Sequence, residues 1–180
     1  DYAEKVYTEY DSEDRVTEMT SLGGGCCGSG GEGQYTFAYG ENPSYGTPTE
    51  EQKWNLWKTY RRIASPGGLR TVELYNVYNQ LLVEVVQEMD GTTILKSWVT
   101  HQKYWDGGDG RTFIASRLKE RRFPSACTGY TLSTSGGWTT DVTPDDAGSE
   151  GLVRLYDYDE TSGNLASEKV RRGTKPSSSG

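Results

Sequence analysis

A chain of 180 residues is long enough to bury one sizeable core, but its hydrophobic fraction of 33% is low for a self-contained globule of that length. The formal net charge of −7 argues against nucleic-acid binding, which needs clustered cations; the basic runs Arg61-Arg62, Arg117 to Arg122 and Arg171-Arg172 are short and scattered, as on solvated strand faces. No apolar run approaches the ~18 residues that a membrane-spanning helix requires.

The chain begins at Asp1 without a signal-peptide pattern, as a processed product or an excised fragment would. Residues 2–21 read as a hairpin arm, residues 23–33 as a glycine loop, and residues 34–39 alternate as a strand. An irregular stretch with Pro43 and Pro48 follows over 40–50. The run from Thr49 to Trp57 has a brief helical signal, with Thr49 as N-cap and Gln52 at the capping-box position, although Trp57 to Ile63 reads equally well as a strand. Ser65-Pro66-Gly67-Gly68 marks a turn, after which 69–77 and 80–88 pair as a hairpin. Asp90-Gly91 is a two-residue hairpin signal between Val85 to Glu88 and Thr93 to Leu95, and 94–105 continues as a strand holding Trp98 and Tyr104. Residues 123–150 form a loop-rich insert, 151–171 a final hairpin, and 174–180 a Ser-rich linker or tail, which bounds one β segment over 1–173.

Composition agrees with strands. The chain has 13 Tyr, 5 Trp and 23 Gly, and aromatic side chains fit a pleated, half-buried surface. With few aliphatics, aromatics must supply much of the burial, at roughly 150–250 Å² each.

An internal similarity runs through the chain. The fullest unit is Tyr156-Asp157-Tyr158-Asp159-Glu160-Thr161-Ser162-Gly163-Asn164-Leu165: two aromatics at alternate positions, an acid, a polar turn, then apolar alternation. Looser echoes are Tyr7 to Glu18, which holds Tyr10-Asp11; Leu74 to Glu84, which holds Tyr75 and Tyr78; and Gln102 to Gly108, completed after an insertion by Ser116 to Glu120. Their spacing is irregular, about 20 to 50 residues, so the inserts between hairpins vary.

These residues resemble the YD-repeat, the hairpin unit of Rhs and teneurin-type proteins. The Cys-Cys-Gly-Ser-Gly-Gly loop leading to Tyr35-Thr36-Phe37, the run Arg117 to Ala126, and Gly151-Leu152-Val153-Arg154 are similar to YD-repeat segments of large surface proteins in planctomycete-like bacteria. Asp14 stands where that family usually has glycine, and Asn79-Gln80 replaces the acid and turn of the middle unit. The resemblance implies an all-β fold in which successive hairpins extend one spiralling antiparallel sheet, as a solenoid or shell segment with long irregular loops. It also implies an extracellular or cell-surface scaffold, shell wall or filament subunit that self-associates or meets neighbouring repeats of a larger parent chain.

Cys26, Cys27 and Cys127 leave three readings open. One of the pair could form a disulfide with Cys127, all could be free thiols, or they could ligate a metal, although three cysteines and one distant histidine lack ligand spacing. The sole histidine, His101, lies on a predicted strand, and no Gly-x-Ser-x-Gly elbow accompanies it. The acids of Asp106 to Gly110 and Asp141 to Asp146 do not match the EF-hand spacing, and residues 23–33 lack the Gly-Lys-Ser/Thr of a P-loop. No pair among the 26 acids is singled out for glycoside hydrolysis. The expectation is a non-enzyme without cofactor or metal. Two rivals to the scaffold are a carbohydrate-binding or adhesion module using exposed Trp54, Trp57, Trp105 and Trp138, and a fragment of an Rhs toxin-encapsulating cage.

Overall fold

The computed structural model describes residues 5–22, 33–107, 114–123 and 152–172. Their alternating, β-branched and aromatic segments form ten strands: β1 Lys5–Tyr10, β2 Val16–Leu22, β3 Gly33–Glu41, β4 Thr59–Ser65, β5 Leu69–Tyr75, β6 Leu81–Asp90, β7 Thr93–Tyr104, β8 Leu118–Arg122, β9 Leu152–Tyr158 and β10 Leu165–Arg172. They make one antiparallel sheet in strict sequence order, β1 through β10, which does not close into a barrel. Every connection is therefore a hairpin or an elaborated hairpin. The alternate connections β1–β2, β3–β4, β5–β6, β7–β8 and β9–β10 all emerge at one end of the sheet.

Among the described residues a single short helix, α1 Glu50–Lys53, lies in the β3–β4 connection. Thr49 and Gln52 cap it reciprocally, as the sequence signals, and Glu50 and Glu51 sit favourably in its first turn. It ends after four residues, and the following strand starts at Thr59 rather than Trp57. The β6–β7 hairpin closes on the pair Asp90↔Thr93, so Gly91 and Thr92 form the loop, with Gly91 at φ 58°. That is one residue beyond the expected Asp90-Gly91.

Register pairs share a face of the sheet, and two rows define the core face. One runs Gly40, Tyr60, Leu74, Val83, His101, Arg122, Val153 across β3 to β9. The other runs Ala38, Arg62, Val72, Val85, Val99. The buried cluster is Val72, Leu74, Leu82, Val83, Val85 and Val99 from β5, β6 and β7, joined by Trp57 from the β3–β4 connection, with Tyr60 and Tyr104 packed against it. Burial of one such aliphatic side chain contributes about 1.5–3 kcal/mol, so stability concentrates in the central strands. The edges differ. Val6, Tyr7 and Tyr10 on β1 and Leu165 and Val170 on β10 are all exposed, and among the described residues each of these strands pairs on one side only.

Gly40 leaves room for the Tyr60 ring, which covers it across the strand pair; a Cβ there would overlap the ring unless the ring moved.

Candidate functional site: the repeated turns and their braces

Four hairpins at one end of the sheet share one geometry. Each incoming strand ends on a tyrosine paired with an aliphatic residue: Tyr10↔Val16, Tyr75↔Leu81, Tyr104↔Leu118 and Tyr158↔Leu165. In each the residue after that aliphatic (Thr17, Leu82, Lys119, Ala166) is skipped by the register as a β-bulge.

The turn frame recurs as well. The residue after the tyrosine donates its backbone N–H across the turn: Asp11 to Arg15 O at 2.9 Å, Asn76 to Gln80 O at 3.0 Å, Trp105 to Arg117 O at 2.9 Å and Asp159 to Asn164 O at 2.9 Å. Its carbonyl accepts from a residue in the left-handed region: Asp14 (φ 59°), Asn79 (φ 64°), Ser116 (φ 75°) and Gly163 (φ 68°). The acid or amide supplies the rest. Asp11 Oδ1 accepts from Glu13 and Arg15 N–H, Asn76 Oδ1 from Tyr78 and Gln80 N–H, and Asp159 Oδ1 from Thr161 and Ser162 N–H. These are Asx-type turns, for which Asp and Asn are suited. Backbone N–H bonds hold the Asp11 and Asp159 carboxyls below the usual carboxylate range, with Arg15 and Ser162 the largest contributors.

Tyr75 thus occupies the position of Tyr10 and Tyr158, whereas Tyr78 lies inside its turn. Tyr156 sits two residues before Tyr158 on β9. Asn164 and Leu165 follow the left-handed residue in the last unit, as Gln80 and Leu81 do in the middle one.

Long connections brace this end. Asn76 is 1% exposed, and its Nδ2 donates to Trp54 O at 2.9 Å and to Gln80 Oε1 at 3.0 Å. Asn55 exchanges two bonds with the Tyr104 backbone, Nδ2 to O at 2.9 Å and Oδ1 from N–H at 2.8 Å. Gln80 Nε2 donates to Ser116 O at 3.0 Å. The Trp54 and Tyr78 rings stack with centroids 4.0 Å apart, and the Tyr78 hydroxyl donates to Glu50 at 3.3 Å. Sequence reasoning put Asn76 inside the strand 69–77, whereas β5 ends at Tyr75 and Asn76 opens the turn, and it missed Asn55; their partners lie 22 and 49 residues away.

A groove of about 450 Å³ runs beside these turns, lined by Arg15, Tyr39, Glu41, Arg61, Tyr75 and Asn79 among others. Its two arginines are paired. Arg61 Nε donates to Glu73 at 2.5 Å, Tyr75 donates to the same carboxylate at 2.9 Å, and Arg15 pairs with Asp11 and Glu13 while lying over the Tyr39 ring. Burial and the Glu73 hydrogen bond push the Tyr75 hydroxyl up to about 12, so it stays protonated at neutral pH.

His101 sits on the core face between Val83 and Arg122. Burial, then nearby Lys103 and Arg122, push its pKa down to about 4 against a smaller opposing effect of Glu120, so the imidazole is neutral at pH 7. Its Nδ1 has no hydrogen-bond partner among the described residues. Among those residues no group of three or more His, Cys, Asp or Glu could hold a metal ion, and no helix is long and apolar enough to cross a membrane.

Of the tryptophans, Trp57 is buried, Trp54 is covered by Tyr78, Trp105 lies under the Lys119 ammonium at 4.1 Å, and Trp98 is exposed. Cys26, Cys27, Cys127, Trp138, the acids Asp109 and Asp141 to Asp146, the tail 174–180 and nearly all of the glycine loop 23–33 and the insert 123–150 lie outside the described residues.

No family model matches this chain, and no curated protein or solved structure matches it.

Proposed function

We propose that the chain is a structural segment of a secreted or cell-surface protein of the YD-repeat type, built to be extended as sheet and not to catalyse. The observation that carries this reading is the hairpin geometry repeated four times at one end of the sheet: terminal tyrosine, Asx-type or related turn, left-handed residue, bulge. Repeats of this kind draw stability from their neighbours, and a short array ends in strands that lack one. The exposed apolar side chains of β1 and β10 fit such ends. The chain then acts as scaffold, shell wall or filament subunit, and the cage of an Rhs protein is the same sheet closed around a space.

Sedimentation velocity over a hundredfold concentration range tests the assembly. The reading expects association that grows with concentration and is lost when Val170→Pro removes a ladder donor from β10. A monomer at every concentration overturns it.

A further inference from the structure

The sheet face opposite the core carries a cationic pair that its surroundings leave incompletely neutralised. Arg121 of β8 and Arg154 of β9 are register partners, and like charges set directly opposite one another repel. Glu168 reaches Arg154 alone, at 3.1 Å, from the β10 side. Arg121 makes no ion pair among the described residues, and its Nε is buried without a hydrogen-bond partner. The two guanidinium carbons lie 5.3 and 5.6 Å from the centre of the Phe123 ring, which holds them together as a cation–π pair. Among the described residues, two guanidiniums, one aromatic ring and one partly exposed carboxylate leave a local excess of one positive charge in a chain whose net charge is −7.

We propose that Arg121 and Arg154, both beside the Phe123 ring, bind the carboxylate or sulfate group of an acidic glycan. An oxyanion placed there relieves the repulsion. The planar fork of a guanidinium matches a carboxylate or sulfate in two parallel hydrogen bonds. A saccharide is favoured as the carrier by Trp98, exposed on the same sheet face. It lies four residues down β7 from Gln102, the register partner of Arg121, or about 13 Å along the strand. A stacking ring and an anion fork at that spacing suit an oligomer of acidic sugars better than a free ion. Nucleic acid is disfavoured by the overall negative charge. The site does not depend on the scaffold reading, since edge association uses the outer backbone ladders of β1 and β10 and anion binding uses the arginine side chains of β8 and β9.

The test is calorimetric titration of the intact chain with trigalacturonate, a sulfated disaccharide, neutral maltotriose, sodium sulfate and a pentaglutamate peptide, with the Arg121 Nε–H resonance followed by NMR. The acidic saccharides bind saturably and shift that resonance, and maltotriose does not bind. Arg121→Gln weakens binding at least tenfold and Trp98→Ala several-fold. Glu168→Gln, which removes the competing carboxylate from Arg154, tightens it several-fold, a gain that misfolding cannot mimic. The proposal is overturned if neither acidic saccharide saturates, if Arg121→Gln leaves the affinity unchanged, or if Glu168→Gln weakens it. Equal binding of sulfate assigns the site to a free oxyanion, and tighter binding of pentaglutamate assigns it to acidic peptides; either result refutes the glycan.

Discussion

Asn76 holds the middle turn and the β3–β4 connection to each other, and replacing it by aspartate sets the repeat pattern against the local structure. Aspartate occupies the equivalent position in the first and last turns, where the carboxyl is open to water. At position 76 the side chain is buried and makes four bonds, two accepted by Oδ1 and two donated by Nδ2. Asn76→Asp keeps the accepted pair. It also turns a carboxylate oxygen toward Trp54 O and Gln80 Oε1, at the 2.9 and 3.0 Å now spanned by hydrogen bonds. Each buried polar group left unsatisfied costs about 1–3 kcal/mol, so the loss is roughly 3–5 kcal/mol at pH 7. Burial against two acceptors raises the new carboxyl's pKa, so Asn76→Asp regains stability as the pH falls and protonation restores a donor. Asn76→Ala loses a similar amount without any pH dependence, and Asp11→Asn, at the exposed equivalent, changes stability by less than about 1 kcal/mol. Urea denaturation followed by tryptophan fluorescence at pH 7 and pH 5 measures all three. If Asn76→Asp matches the wild type at pH 7, the brace between Asn76 and Trp54 contributes nothing and the reasoning fails.

Three further outcomes follow from the same structure. Folding lowers the His101 pKa from an ordinary 6.5 to about 4, so its contribution is complete above pH 6.5 and is lost as the pH falls toward 4, by up to about 3 kcal/mol at pH 4; His101→Leu flattens the pH dependence of stability in that window, and an unchanged slope refutes the burial of the ring. Gly40→Ala forces a Cβ into the Tyr60 ring and costs about 1–3 kcal/mol; most of that penalty disappears in a Tyr60→Ala background, and simple additivity of the two changes in thermal unfolding contradicts the contact. Gly163→Ala places a Cβ at φ 68° and costs about 1–2 kcal/mol, while Asp14→Gly relieves the same conformation and stabilises the chain; chemical denaturation that ranks the two the other way overturns the shared turn.

Much of the strand plan was legible because its signals are local. Alternation marked β5, β6 and β7, Ser65-Pro66-Gly67-Gly68 marked the β4–β5 turn, and Thr49 with Gln52 marked the start of α1. The length of α1 was not legible: four residues form no stable helix alone, and it persists through its caps and the stacking of Trp54 on Tyr78. Asp14 read as a departure from glycine, and Asn79-Gln80 as replacing the acid and turn of the middle unit; the acid's place belongs to Asn76, and Asp14 and Asn79, residue types that tolerate the left-handed region, both adopt it. Alternation alone also could not separate core hairpins from edge hairpins. Val72 and Val85 are fully buried while Val6 and Val170 are exposed, because burial depends on a strand's place in the sheet. The Asn76 and Asn55 braces and the Arg121–Arg154 pair join residues far apart in sequence, where no local pattern signals contact.

Amide hydrogen exchange, resolved by strand and measured over a range of protein concentrations, tests the central claim that this is a repeat sheet built to be continued at its edges. The account predicts that protection of β1 and β10 rises with concentration while β5 and β6 stay slow and unchanged. Fast exchange at both edges at every concentration, with the chain otherwise folded, would contradict it.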